Sequence, residues 1–188
     1  KEILEHSVKP LVADFLAERG LTLSEEKTKI THITDGFDFL GFNVRKFGDT
    51  LLTQPSKDRT KRMLSKVKDE IKRFRGDAQH ELIMRLNPIL NGWANYYKYS
   101  AASNVFRKTD NQIYKKLWRW ALRRHGNKCK GWIKNRYFHR IDGRDWVFAV
   151  KRKNEKHEEY FIPITILFNT KIERYPQLKC DVNPFDPE

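Results

Sequence analysis

Between residues 55 and 140 apolar side chains recur every three or four positions, and the positions between them are dominated by basic residues. Met63, Val67, Ile71 and Phe74 form one such stripe, Leu82, Leu86, Leu90 and Trp93 a second, and Phe106, Ile113, Leu117, Trp120 and Ala121 a third. This is the helical period, so each stripe is one face of an amphipathic helix, and three such faces bury themselves against one another. Ser56 stands where an N-cap is needed and Gly76 where the first helix must stop, while Pro88 is expected to kink the second. The predicted helices run from Ser56 to Gly76, from about Ala78 to Tyr99 and from Asn104 to about His125, with a shorter one around Gly131 to Tyr137.

The same block holds the charge. The 188 residues carry 38 Lys and Arg against 24 Asp and Glu, a net of +14, yet residues 1–54 sum to −2, residues 55–140 to +17 and residues 141–188 to −1. A solvated face normally mixes signs, so a block this one-sided reads as a surface for a polyanion. Five Trp, seven Tyr and twelve Phe give the chain enough apolar surface to fold rather than behave as a basic tail. No run of 18 apolar residues and no signal peptide is visible, so no membrane partner is predicted and the expected location is the cytoplasm. Cys129 and Cys180 build neither a disulfide framework nor a four-Cys zinc site. His125, Cys129 and His139 lack a fourth ligand, so no metal site is predicted either.

The flanks read differently. Ile3, Leu4, Val8, Leu11, Val12, Phe15 and Leu16 have helical spacing, and Gly20 is placed as a left-handed cap. Leu21 and Leu23, then Ile30 and Ile33, predict short strands, and Gly36 to Gly48 predicts a hairpin bent at Gly41. After Arg140, Trp146, Phe148 and Val150 alternate with Val147, Ala149 and Lys151, and Tyr160 to Phe168 is β-prone with Pro163 at its centre. The fold class is therefore mostly α with a small α/β start. Its expected divisions are 1–54, a three- to four-helix basic block over 55–140, and a short β-rich extension over 141–188.

Several strings resemble group II intron reverse transcriptases, in that family's order. LTLSEEKT at Leu21 to Thr28 is similar to the sixth conserved block of the polymerase palm, and DFLGF at Asp38 to Phe42 to the seventh, the primer-grip hairpin. NPILNGWANYYKY at Asn87 to Tyr99, WRWALRRH at Trp118 to His125 and GWIKNRYF at Gly131 to Phe138 resemble the thumb, also called domain X or the maturase domain. NPFDPE at Asn183 to Glu188 resembles the connection toward a DNA-binding and nuclease region. The resemblance implies a partial palm, a helical thumb and an RNA-binding maturase that helps intron RNA fold and splice. In the intact RNA-directed DNA polymerase it also implies a grip on template and primer. The family's Tyr-Ala-Asp-Asp motif, which with an earlier Asp holds catalytic Mg2+, is absent from these residues and is expected before Lys1. No cofactor is expected on this chain, which is predicted to be inactive alone, and the missing N-terminal polymerase region is a further expected partner.

By the same resemblance Lys27 sits where a lysine faces the departing pyrophosphate in the intact enzyme, and Phe39, Leu40, Gly41 and Phe42 support the primer terminus. Asp35 and Asp38 are close in sequence, but strand ends commonly carry turn Asp residues. The expected RNA contacts are Arg59, Lys61, Arg62, Lys66, Lys98, Lys115, Lys116, Arg119, Arg123, Arg124, Lys128, Lys130, Lys134 and Arg136. From Gly92 to Arg140 thirteen Lys and Arg face a single acid, Asp110, with aromatics interleaved. Trp93, Tyr97 and Trp132 are the candidates for stacking on unpaired bases, although most aromatics here are expected to be core. Two other readings stay open, a segment of a retron-like or CRISPR-associated reverse transcriptase without a splicing role, and a generic basic nucleic-acid-binding domain.

Overall fold

The N-terminal helix begins as a π-helical turn over Leu4–Val8 and continues as α1 (Lys9–Ala17) in a computed structural model that describes residues 1–173. Cys180 and the string at 183–188 lie outside the described residues. Gly20, at φ +69°, closes α1 as expected: its N–H bonds Ala17 O at 3.0 Å and the Leu21 N–H bonds Leu16 O at 2.9 Å. These are the two bonds of a Schellman cap.

The strands predicted at Leu21 to Leu23 and Ile30 to Ile33 do not form. Alternation makes a strand only where an edge is available to pair with, and this segment instead closes local turns, such as Lys27 N–H to Ser24 O at 3.2 Å. The hairpin does form, and it gains a third strand. β1 (Phe37–Phe39), β2 (Phe42–Phe47) and β3 (Thr50–Pro55) make an antiparallel meander in that order. Phe39 faces Phe42, and between them Leu40 and Gly41 both take positive φ, 49° and 87°, the requirement of a two-residue type I′ turn.

α2 (Lys57–Arg73) starts at Ser56, whose Oγ accepts the Arg59 N–H at 3.3 Å. α3 (Gln79–Tyr97) runs through Pro88 without a break. The ring supplies no N–H to the Met84 carbonyl, but that side of the helix is wet, with Met84 52% exposed. α4 (Ser103–Arg124) and α5 (Lys130–Tyr137) follow where the apolar period places them. β4 (Phe138–Ile141), β5 (Arg144–Lys153) and β6 (Glu159–Pro163) then form a second antiparallel meander, and a 3-10 turn spans Leu167–Asn169.

One core joins the four helices and this second sheet. Val67, Leu82, Leu86, Leu90, Phe106, Leu117 and Ile133 pack with Phe138, Phe148, Ile164 and Leu167 in a single buried cluster, so the core crosses residue 140, where the charge pattern changes. The expected alternation in β5 holds only in part. Val147, Phe148 and Ala149 are buried in succession while Trp146 is 45% exposed, as in a strand covered on both faces at its middle. Polar side chains fasten the sheet to the helices. Gln79 Nε2 donates to Tyr137 O and Ala149 O at 3.1 and 3.0 Å, and the Asp110 carboxylate accepts the N–H groups of Leu167 and Phe168 at 3.0 and 2.9 Å. Burial pushes the Asp110 carboxyl above its ordinary value, and those two N–H groups with the nearby Arg144 charge pull the other way.

Candidate nucleic-acid interface

The helical repeat decides where the cations go. With Met63, Leu64, Val67 and Ile71 turned inward, Lys72 and Arg75 are left at the C-terminal end of α2, and on α4 the burial of Ile113, Leu117, Trp120 and Ala121 leaves Lys116, Arg123 and Arg124 beside them. Together with Ile71 and Trp120 these five cations line a cleft of about 370 Å³, and none of its lining residues is acidic. Arg124 is committed within the fold. Its Nη1 donates to Arg75 O at 2.9 Å and Asp77 O at 2.6 Å, and its guanidinium lies 4.7 Å from the Trp120 ring centre. It satisfies carbonyls of the loop that follows α2, and Trp120 Nε1 does the same for Phe74 O at the C-cap of α2, at 2.9 Å. Arg124 thus braces the cleft, while Lys72, Arg75 and Arg123 are exposed and Lys116 half-buried. Lys72 and Arg75 are absent from the contacts expected from sequence, though the one-sided charge of the block includes them.

A second concavity, of about 570 Å³, lies under the first hairpin and gathers Leu40, Arg59, Arg62, Lys66, Trp93 and Tyr97. The hairpin tip is held there by α3. Tyr96 Oη donates to Leu40 O at 2.9 Å, Tyr97 Oη donates to Gly41 O at 3.0 Å, and Phe42 packs on both rings. Gly41 is needed twice, for its φ of 87° and because a Cβ there would lie 3.0 Å from the Tyr97 hydroxyl oxygen. This overturns Tyr97 as a stacking platform: it is only 3% exposed, and its ring is spent latching the hairpin. Burial raises its phenol pKa, with Tyr96 adding to the rise. Trp93 is half-buried against Tyr97 and Phe106, and its indole N–H is buried without a partner. Phe39 and Leu40 project outward, 61% and 69% exposed, whereas Phe42 packs on the core. Arg62 is answered by Asp58 at 2.8 Å.

The remaining cations fall on other faces. Lys61 lies with Lys57 and Lys108 on the side of α2 toward Asp35 and Asp38, away from Arg62 and Lys66. Lys98 pairs with Glu173 at 3.1 Å, which raises its pKa and leaves less of its charge for an outside partner. Lys115 and Arg119 are exposed one turn apart on α4, and Lys128 and Lys130 are exposed at the start of α5. Trp132, 38% exposed, stands against His125 with Lys128 Nζ 5.7 Å from its ring, and it is the most exposed of the three sequence-expected stacking residues. Arg136 shares a third hollow with His139, Lys151 and Arg152, which extends the basic surface beyond residue 140. Burial, helped by Lys151, Lys134 and Arg136, holds the His139 pKa below its ordinary value.

Lys27 is exposed on a turn rather than at a strand end, and Asp38 accepts a bond from Asn43 Nδ2 at 2.7 Å. Among the described residues no three His, Cys, Asp or Glu side chains converge to hold a metal ion. No helix among them is long and apolar enough to cross a membrane. Residues 60–138 match the family model of the group II intron, maturase-specific domain, a span that contains three of the strings read above and every residue that lines the cleft between α2 and α4. No curated protein matches the chain.

Proposed function

Because residues 60–138 match the family model of the group II intron, maturase-specific domain, we propose that this chain binds structured intron RNA and assists its folding and splicing. The observation that carries this reading is the cleft between α2 and α4, lined by five cations and no acid, inside the matched span. Phosphate oxygens are the partners such a cleft favours, because they answer clustered guanidinium and ammonium groups without needing a particular base. In an intact RNA-directed DNA polymerase the basic helical surface, together with the hairpin tip at Phe39 and Leu40 at the other end of α2, would grip template and primer. By itself the chain incorporates no nucleotide, and a primer-extension assay with Mg2+ that gave template-dependent product would refute that part.

The test is a competition between intron RNA and a scrambled RNA of equal length across a salt series. If the surface neutralises roughly 6 to 10 phosphates, affinity for either RNA falls on the order of 10³- to 10⁵-fold between about 50 and 200 mM salt. Recognition of a folded intron adds shape and stacking contributions that salt weakens less, so the preference for intron RNA is expected to widen as salt rises. A ratio near one at every salt concentration would leave a generic basic domain in place of a maturase.

A further inference from the structure

We propose that the apolar recess beneath Trp146 seats one unpaired base of the bound RNA, an inference that rests on RNA being the partner. Trp146 is a bulky residue at φ +62°, a backbone conformation that large side chains rarely adopt and that is sustained only where the surroundings impose it. Held that way the residue is 45% exposed and lines a recess of about 320 Å³. Tyr114, Leu117, Phe148 and Ile164 supply apolar walls. That volume is at the small end of ligand sites, suited to one flat ring system rather than to a run of nucleotides.

Tyr114 and Trp118 lie nearly parallel, 17° apart, and both meet Trp146 edge to face at 6.4 and 5.6 Å between ring centres. The tryptophan is thus buttressed from the side and keeps part of its surface open, which is what a stacking platform requires. Lys134 Nζ lies 5.7 Å from the same ring, where a base would bring its phosphate. Arg144 lines the recess together with Asp110, whose carboxylate is committed to two backbone N–H groups, and Asp145, which lies 3.8 Å from Arg140 Nε. Trp146 falls outside the matched family span and outside the basic block read from sequence.

The experiment compares the full chain with its Trp146→Ala and Trp146→Phe variants, using a twelve-residue oligouridine and a blunt RNA duplex as probes. Trp146→Ala is expected to weaken oligouridine binding by roughly 5- to 150-fold, the range for one lost base–aromatic stack, and to leave duplex binding unchanged. Trp146→Phe should recover most of the loss. Equal oligouridine affinity for wild type and Trp146→Ala would overturn the seat while leaving RNA binding intact. Failure of the wild-type chain to bind either probe would overturn both readings. If Trp146→Ala does not fold, photocrosslinking of 5-iodouridine oligomers to the wild-type chain decides. Adducts at Trp146 or Tyr114 are the expected result, and adducts confined to other faces contradict the proposal.

Discussion

The first helix and the second have the same kind of apolar period and opposite fates. On α1 and the turn before it, Ile3, Leu11 and Phe15 are 74%, 72% and 54% exposed, whereas on α2 Met63, Val67 and Ile71 are 6%, 0% and 8% exposed. No residue of 1–54 is buried, and the core begins at Pro55 and Ser56. Hydrophobic spacing fixes which face of a helix is apolar, but the covering has to come from elsewhere. In the second case it comes from α3 and α4, each with a stripe of its own, and the stretch between α1 and the hairpin offers no comparable stripe. The two regions divide the labour as well. The covered helices carry the basic cleft, and the uncovered segment carries a net charge of −2.

The comparison breaks if the two regions answer alike to truncation. Phe106→Ala, at a fully buried ring of α4, is expected to cost about 3 to 5 kcal/mol in urea unfolding. Phe15→Ala should stay within roughly 0.5 kcal/mol. Similar losses for both would mean that α1 is covered in solution. The hairpin sits between these extremes, because its strands belong to the uncovered region and its tip is tied to α3. Gly41→Ala forces a side chain into a φ of 87° against the Tyr97 hydroxyl and is expected to cost about 1 to 3 kcal/mol.

Tyr97→Phe should cost about 1 kcal/mol, since the Gly41 carbonyl keeps a second bond from the Ser56 N–H at 2.9 Å. If the hairpin were undocked, limited proteolysis near Leu40 would proceed equally in wild type and variant. The smallest effect concerns His139. Its pKa is lowered in the folded chain, so the unfolded chain binds a proton first as the pH falls. The stabilisation is present above the ordinary His value of about 6.5 and is lost as pH drops from there through the folded value. The wild-type urea midpoint should therefore decline between pH 7.5 and 5.5 more than that of His139→Gln, and identical declines would remove His139 from the account.

The helices were legible because their period, the Ser56 cap and the Gly20 cap are local signals that tertiary packing did not override. The strands expected at Leu21 and Ile30 were not, because alternation says nothing about whether an edge is at hand. Asp142-Gly143, both at positive φ, is a turn signal plainly present in the sequence, and together with Phe138 to Ile141 it marks the β4 strand, which falls between the short helix expected to end at Tyr137 and the alternation read from Trp146. For the site, charge density pointed to the right surface but not to the roles within it. Sequence cannot distinguish Arg124, spent on the carbonyls of Arg75 and Asp77, from the exposed Arg123, nor Tyr97 at the hairpin from Trp132 in solvent. Those differences are set by helix rotation and by contacts 47 or more residues apart in the chain.

The central claim is that phosphate affinity lives in the cleft of the covered region, and salt-dependent RNA binding tests it most directly. One variant replaces Lys72, Lys116 and Arg123 with Gln, and another replaces Lys9, Lys27 and Lys29, so each loses three charges. Each phosphate contact removed lowers the slope of log affinity against log salt by about 0.7 to 0.9. The cleft variant should therefore flatten the slope by roughly 2 to 3, and the variant in the uncovered region should keep the wild-type slope. Equal flattening in both would show that the RNA responds to bulk charge and that the cleft is no site.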